Sequence, residues 1–219
     1  GILHMKYNFS QRKLLGREDS LTGYSETFGY DDLNRLTSWT LWKGTRELSS
    51  YSQWYDSSRP RIVSKKGYGS TFRYGENKTK PHALLSVDAA PGAGFGEEQI
   101  VRYTDFKKME RITQGLNVLQ VTYGVDEQRI RSVLDTPSEG LLTRYYIGNY
   151  EEEIRGSHTR KIHYLNGGNG LAAVFVSDSD GNDSLYYAHT DIQGSLLALS
   201  SPEGEVVERY AYDPWGLRR

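Results

Sequence analysis

Cysteine is absent from the 219 residues, so the chain can form no disulfide bond and has no thiolate chemistry. This composition fits a cytosolic protein or a bacterial secreted protein without disulfides. No apolar run approaches the roughly 18 residues of a membrane-spanning helix, and no signal-peptide pattern opens the sequence. Basic and acidic residues nearly balance, 27 against 28, which gives no broad field for nucleic acid or an anionic membrane. We therefore predict neither a nucleic-acid partner nor a membrane span.

Helical periodicity is also scarce. Only residues 97–98 and 151–155 hint at a helix, and neither reaches about 10 periodic residues. Tyrosine, in contrast, supplies 17 of the aromatic side chains, against 6 Phe and 4 Trp. A tyrosine joins an apolar ring to a polar tip, which suits strands that face water on at least one side. The composition predicts a thin all-β structure rather than a thick globular core.

A short pattern recurs along the chain: an aromatic residue, a polar turn, an arginine, a branched aliphatic residue, and Thr or Ser. Its copies begin at Tyr30-Asp31, Tyr55-Asp56, Phe106, Tyr123 and Tyr212-Asp213, and their arginines are Arg35, Arg61, Arg111 and Arg129. Aromatic residues next to turns follow one another at intervals of 18 to 29 residues. Such a period corresponds to one hairpin per repeat and indicates an array of supersecondary units. We expect Tyr30, Tyr123, Tyr187 and Tyr212 at equivalent places in their hairpins.

Residues 186–217 form the most organised stretch. A strand that includes Tyr187 leads into a turn with His189, Asp191, Gly194 and Ser195. A second strand, a Pro/Gly turn and an alternating return strand follow, which together predict a β-hairpin. The stretch closes with Tyr212, Asp213, Pro214 and Gly216.

These motifs resemble those of the Rhs/YD-repeat proteins, which include bacterial polymorphic-toxin shells, the C component of Tc toxins and the teneurins. The Tyr-Asp pairs match the repeat that gives the family its name, and residues 186–217 resemble the start of its core-associated element. Residues 74–83 resemble a recurrent YG…KPHA stretch of the family. The resemblance covers nearly the whole chain and is strongest from residue 100 to residue 217.

The resemblance implies an array of antiparallel β-hairpins that forms a curled, spiralling sheet, either an open trough or a partial shell. Residues 1–219 would be a single YD-repeat array, cut from a longer protein, and residues 88–96 would be a loop between repeats rather than a domain boundary. The implied function is a non-enzymatic structural shell segment of an Rhs-type polymorphic toxin or of a secreted repeat protein, which encloses or presents the C-terminal toxin or effector polypeptide of the parent protein. That parent would be secreted or displayed on the bacterial cell surface. The alternative is a cell-surface adhesion module that binds carbohydrate or protein.

An autoproteolytic enzyme is a third possibility under the resemblance. Residues 213–217 spell the DPxGL letters of the family's self-cleaving segment. Their position after the 189–195 motif and a hairpin matches instead the earlier element that opens the core domain. We therefore expect no catalytic residue here and place the autoprotease beyond Arg219.

Four other groups of residues suggest chemistry, and each has a simpler interpretation. His189, Asp191 and Ser195 have the letters of a nucleophilic triad without a GxSxG elbow; Asp191 would instead cap its turn, and His189 would bond to a neighbouring repeat. Residues 178–183 suggest a calcium loop, but their glycine is misplaced for one, and a hairpin turn explains them better. We predict no metal and no cofactor.

The repeat arginines and a tryptophan cluster complete these groups. The arginines could form a phosphate-binding ladder, but cross-strand ion pairs between repeats explain them better. Trp39, Trp42 and Trp54, with Tyr51, could stack on a sugar, whereas aromatic residues more often face a core.

The ends of the array predict one more partner. Strands near residues 6–10 and 206–212 would lack a neighbour on one side, and unpaired strand edges favour pairing with another chain. We therefore expect weak self-association through a sheet edge.

Overall fold

The computed structural model of the chain describes residues 1–75, 82–90 and 96–218. Within these residues it has nineteen β-strands and no helix, so the prediction of an all-β array of antiparallel hairpins is confirmed. Residues 151–155, one of the two weak helix signals, lie in a strand. The described residues contain no helix that could cross a membrane. The chain comprises two compact units, Gly1–Glu98 and Gln99–Arg219.

The first unit is a meander in which each strand pairs antiparallel with the next along the chain. Its strands are β1 (Met5–Ser10), β2 (Lys13–Asp19), β3 (Tyr24–Tyr30), β4 (Leu36–Lys43), β5 (Arg46–Tyr55), β6 (Ile62–Lys65), β7 (Gly69–Tyr74) and β8 (Leu84–Ala89). Residues 76–81, the middle of the YG…KPHA stretch, lie outside the described residues.

The second unit repeats this arrangement. Its strands are β9 (Gln99–Tyr103), β10 (Met109–Gln114), β11 (Asn117–Tyr123), β12 (Arg129–Thr136), β13 (Gly140–Ile147), β14 (Tyr150–Arg155), β15 (His158–Gly167), β16 (Gly170–Asp178), β17 (Asp183–Thr190), β18 (Leu196–Ser200) and β19 (Val206–Arg209). The return strand predicted to reach residue 212 therefore ends at Arg209.

The boundary between the units, after Glu98, comes two residues beyond the segment 88–96. Asp88 belongs to β8, and residues 91–95 lie outside the described residues. The expectation of one continuous array over residues 1–219, with residues 88–96 as an inter-repeat loop, stays a prediction.

The core is thin, as the composition predicts. The buried apolar residues are Trp39, Leu41, Val87, Val101, Val121, Leu142, Ala173, Val174, Val176 and Ala198. Trp39 is only 2% exposed and donates from its indole nitrogen to Glu26 Oε1 at 3.2 Å. Glu26, itself buried, also forms an ion pair with Arg17. A buried carboxylate is stable only with such partners, so the tryptophan and the arginine fix it in the core.

Candidate functional site

One turn recurs in both units and organises the residues that the sequence repeats. In this five-residue turn the N–H of the first residue donates to the C=O of the fifth residue. The N–H of the fourth residue donates to the C=O of the first residue. The turns span residues 31–35, 104–108, 124–128, 178–182, 191–195, 201–205 and 213–217. The fourth residue has a positive φ in each, for example Asn34 at 62° and Gly194 at 86°. Glycine and asparagine tolerate this left-handed conformation best, and they hold the fourth place in five of the seven turns, so a Gly or Asn there is the sequence signal in those five. Lys107 and Glu127 hold the fourth place in the other two.

An aspartate at the first place caps three of these turns. Asp31 Oδ1 accepts the N–H groups of Leu33 and Arg35 at 3.0 and 2.8 Å. Asp191 and Asp213 do the same for the third and fifth residues of their own turns, all at 2.9 Å. The prediction that Asp191 caps its turn is thus confirmed.

Hydrogen bonds within the turn bias the titration of two of the repeat aspartates, Asp31 and Asp56. Burial raises the pKa of Asp31, but hydrogen bonds from the Arg35 N–H and guanidinium outweigh it, and the pKa lies below its usual value. Asp56 caps a turn that is one residue longer, with its N–H bonded to the C=O of Arg61. Hydrogen bonds from the N–H and hydroxyl of Ser58 lower the pKa of Asp56 to about 2. Both aspartates are therefore built into the fold in their ionised form.

Two of the four repeat arginines make ion pairs inside their own turns. Arg35 Nε lies 2.7 Å from Asp31 Oδ2, and Arg61 Nε lies 3.2 Å from Asp56 Oδ2. The predicted cross-strand ion pairs between repeats are wrong for these two arginines. The reason is local: the turn folds the chain back so that the capping carboxylate reaches the arginine four or five residues on. Neither Arg111 nor Arg129 has an ion pair within the described residues.

A tyrosine from the next turn on the same side of the sheet completes the arrangement. The Arg35 guanidinium lies 4.4 Å from the Tyr55 ring centroid, and the Tyr55 hydroxyl donates to the C=O of Leu36 at 2.9 Å. We call this pair of contacts the tyrosine clamp. Each clamp links two successive turns at one end of the hairpins.

The clamp recurs with small variations. Tyr30 stacks under Lys13 and donates to Leu14. Tyr74 stacks under Arg61 and donates to Ile62. In the second unit, Tyr123 donates to the C=O of Met109 at 2.6 Å, and Tyr146 lies under Arg129 with its hydroxyl 2.9 Å from Ser132 Oγ. The sequence repeat is therefore a repeat of contacts.

The predicted equivalence of four tyrosines is partly correct. Tyr30, Tyr123 and Tyr212 each directly precede a recurrent turn, and each faces the residue that directly follows it. Tyr187 does not, because it lies four residues before its turn and faces Ser200. Thr190 holds the equivalent position there.

The triad suggested by His189, Asp191 and Ser195 is not assembled. His189 Nε2 lies 2.9 Å from Ser200 Oγ, on the strand paired with its own, whereas the sequence predicted a contact with a neighbouring repeat. Asp191 uses its Oδ1 to accept from Gln193 and Ser195 N–H groups. Within the described residues no hydrogen bond joins His189 to Asp191 or to Ser195. In this conformation the three residues shape a turn.

Residues 178–183 contain another copy of the recurrent turn. Asp178 is its first residue and Gly181, with a φ of 82°, is its fourth, as the hairpin interpretation predicts. The imidazole of His158 reaches this turn from β15 and lies 3.2 Å from Asp178 Oδ1. Among the described residues no three His, Cys, Asp or Glu side chains are grouped as metal ligands.

The tryptophans do not share one surface. Trp39 is buried and stacks on Tyr51 at 5.3 Å between centroids, so it belongs to the core. Trp42 donates to Thr27 Oγ1 at 3.3 Å, and Trp54 is 53% exposed. A sugar could reach Trp54 but not the ring of Trp39.

A titratable cluster on β13, β14 and β15 was missed by the sequence analysis. Arg144 forms an ion pair with Glu153, and burial raises the pKa of the neighbouring Glu151 despite the charge of Arg144. Burial and the charge of Glu151 raise the pKa of Tyr164 to about 12. The available signal was the run of three glutamates at residues 151–153, because a strand places its first and third members on one face.

No protein-family model matches the sequence, and no curated protein matches it. Several solved structures of Tc toxins are similar, each with 99% of this chain covered and a TM-score of 0.49. They include the Photorhabdus luminescens Tc holotoxin pore, at 12% identity over 14% of that chain, and TcdB2-TccC3-Cdc42, at 13% identity over 15% of that chain. TcdB2-TccC3 without its hypervariable C-terminal region is 11% identical over 15% of that chain. The chain therefore spans a small part of the length of these proteins.

Proposed function

We propose that this chain is a wall segment of an Rhs-type polymorphic toxin and that the wall encloses or presents an effector polypeptide of the parent protein. The tyrosine clamp is the observation that carries the proposal. A clamp joins one turn to the next through an arginine, a ring and a backbone carbonyl, so adding hairpins extends the sheet in a fixed geometry. A chain built this way can line a large enclosed space without a thick core of its own.

The roles of the aspartates support a structural rather than a catalytic function. Asp191 and Asp213, which belong to the motifs with catalytic letters, each accept two backbone N–H groups of their own turn. A carboxylate engaged in this way maintains the turn and is ill placed to exchange protons with a substrate. We propose that the parent protein is secreted and that this segment needs no cofactor for its role.

Protease protection tests the proposal in the parent protein with its natural C-terminal continuation. The continuation is expected to resist limited trypsin digestion within the parent and to be degraded when it is expressed alone. The double variant R35Q/Y55A removes one clamp and should expose the continuation, whereas D32A, an exposed neighbour in the same turn, should not. Equal degradation of the continuation inside and outside the parent would contradict enclosure.

Adhesion to carbohydrate is the second candidate, and the exposed ring of Trp54 is the observation that favours it. Binding of the chain to immobilised glycans, lost in W54A and kept in W42A, would support this function over enclosure. The burial of Trp39 removes one of the three tryptophans from the aromatic surface that the sequence suggested.

A further inference from the structure

Two arginines face each other on the first two strands of the second unit. Arg102 on β9 is the direct partner of Arg111 on β10, and Ile100 is the partner of Thr113. Residues two apart on a strand share a face, and these four residues line one concavity. The concavity is therefore a small site with two guanidinium groups, a hydroxyl and an apolar wall.

The charges in this concavity are not balanced by the protein. Directly opposed side chains have Cβ atoms about 4.5–5.5 Å apart, and like charges in such a pair destabilise a sheet. Within the described residues neither Arg102 nor Arg111 lies within 4.0 Å of a carboxylate. The pair thus differs from Arg35, Arg61 and Arg144, each of which has a carboxylate partner.

The neighbouring residues on the same face do not supply the missing charge. The partner of Arg111 on β11 is Gln120, which is neutral. Asp135 shares this face but lies two strands away on β12, across Val118. Glu98, two residues before Ile100, forms an ion pair with Arg73 instead. Glu110, next to Arg111 at the bulge in β10, forms no ion pair with either arginine. An added anion is what this arrangement lacks.

We infer that Arg102 and Arg111 bind a dianionic group of phosphate or sulfate size. Guanidinium groups match the oxygen geometry of such anions with paired N–H donors, and the Thr113 hydroxyl can donate a further hydrogen bond. Ile100 adds apolar surface to the same concavity beside the two guanidinium groups. The group can be a free inorganic ion or an ester on a sugar.

Isothermal titration at constant ionic strength, with chloride as the balancing ion, tests this site. The probes are inorganic sulfate, inorganic phosphate and a sulfated heparin-derived disaccharide. Wild-type chain is expected to bind sulfate, and R102Q and R111Q should each weaken binding by about tenfold, the loss of one charge-assisted hydrogen-bonding group. Tighter binding of the disaccharide than of the inorganic ions would identify a sugar ester as the ligand of the site. Tighter binding of an inorganic ion would identify the free ion as the ligand.

R46Q is the matched control, because Arg46 is an exposed arginine in register with another cation, Lys43. It should leave sulfate affinity unchanged. If R46Q lost as much sulfate affinity as R102Q or R111Q, the proposal would be overturned in favour of diffuse charge attraction. A sulfate affinity of the wild type no higher than that of the double variant R102Q/R111Q would overturn it in the same way. Without anion, R111Q should unfold at the same or a higher denaturant concentration than wild type, because it removes a repulsion. A clear loss of stability would show that the arginine already has a protein partner and would also overturn the proposal.

Discussion

Single carboxylates decide the local order of this protein. In a recurrent turn the N–H groups of the third and fifth residues point towards the side chain of the first residue. An aspartate there accepts both with one oxygen, as Asp31, Asp191 and Asp213 do. In the Tyr55 repeat the capping residue is Asp56, which also forms an ion pair with Arg61. The Arg61 guanidinium in turn lies over the ring of the next clamp tyrosine, Tyr74. One side chain therefore links the turn to the clamp.

Replacing Asp191 with alanine should lower the free energy of unfolding by about 1–2 kcal/mol, since two backbone donors lose a charged acceptor at a partly exposed site. Asp191→Asn keeps an acceptor oxygen and should recover part of this loss. Gln193→Ala, an exposed change in the same turn, is the control and should have little effect. Urea denaturation followed by circular dichroism measures all three, and equal losses in Asp191→Ala and Gln193→Ala would refute the capping role.

Acid should weaken the Asp56 turn in a defined range of pH. The pKa of Asp56 is about 2 in the folded chain and about 3.9 in an unfolded one, so the folded state favours the ionised form. This contribution to stability is complete above about pH 4 and is lost as the pH falls towards 2. Asp56→Asn cannot titrate, and its stability should therefore fall less between pH 4 and pH 2. Parallel pH profiles for the two proteins would contradict the prediction.

At the scale of the strand and hairpin, the tyrosine clamp sets how one turn sits against the next. The tyrosine enters from the end of one strand, and its hydroxyl bonds to a carbonyl at the start of the neighbouring strand, as Tyr55 does with Leu36. A β-bulge accompanies each clamp tyrosine except Tyr146, for example between Trp54 and Tyr55. Because bulges increase strand twist, most of these contacts coincide with a local increase in twist.

Tyr123→Phe tests the hydroxyl of the clamp. The change leaves the C=O of Met109 without the Tyr123 donor and should cost about 0.5–1.5 kcal/mol of stability. Tyr145→Phe is a matched control, because Tyr145 packs against Arg131 through its ring and no hydrogen bond of its hydroxyl is formed within the described residues. Thermal unfolding of both variants gives the comparison. A loss in Tyr145→Phe as large as that in Tyr123→Phe would show that the hydroxyl bond is unimportant.

The sequence predicted the hairpins and turns because their signals are local. The turn at residues 191–195 needs only an aspartate first and a glycine fourth, and both can be read directly from the chain. The partners of Arg35 and Arg61 could not be read in this way, since whether an arginine meets its own turn or a neighbouring strand depends on the turn geometry. The opposition of Arg102 and Arg111 depends on the bulge between Met109 and Arg111, and a shift of one residue would send one arginine to the other face.

At the scale of the whole molecule, the repeated contacts occur in both units. Asp31 and Tyr55 in the first unit correspond in role to Asp191 and Tyr123 in the second. Each unit buries few large apolar residues for its size, so its stability depends on many small contacts between neighbouring hairpins. The loss of one clamp should therefore weaken a unit locally before it unfolds the unit as a whole.

Self-association through a sheet edge stays a prediction of the sequence, and the structure sharpens its test. Among the described residues of the second unit, β19 pairs only with β18. If its other edge pairs between copies, Val207→Pro should weaken association because proline lacks an N–H donor, whereas Val207→Ala should not. Sedimentation velocity over a hundredfold range of concentration measures this, and a monomer throughout would refute edge pairing.

The last prediction concerns the bond between Leu217 and Arg218. The letters of residues 213–217 match a self-cleaving segment, but the Asp213 carboxylate is buried and accepts the N–H groups of Trp215 and Leu217. Asp31 and Asp191 serve the same role in turns without those letters, so turn capping accounts for Asp213 without catalysis. The purified chain should therefore keep its intact mass during prolonged incubation, and Asp213→Asn should behave identically. A product ending at Leu217 in the wild type and absent from Asp213→Asn would instead make Asp213 a catalytic residue.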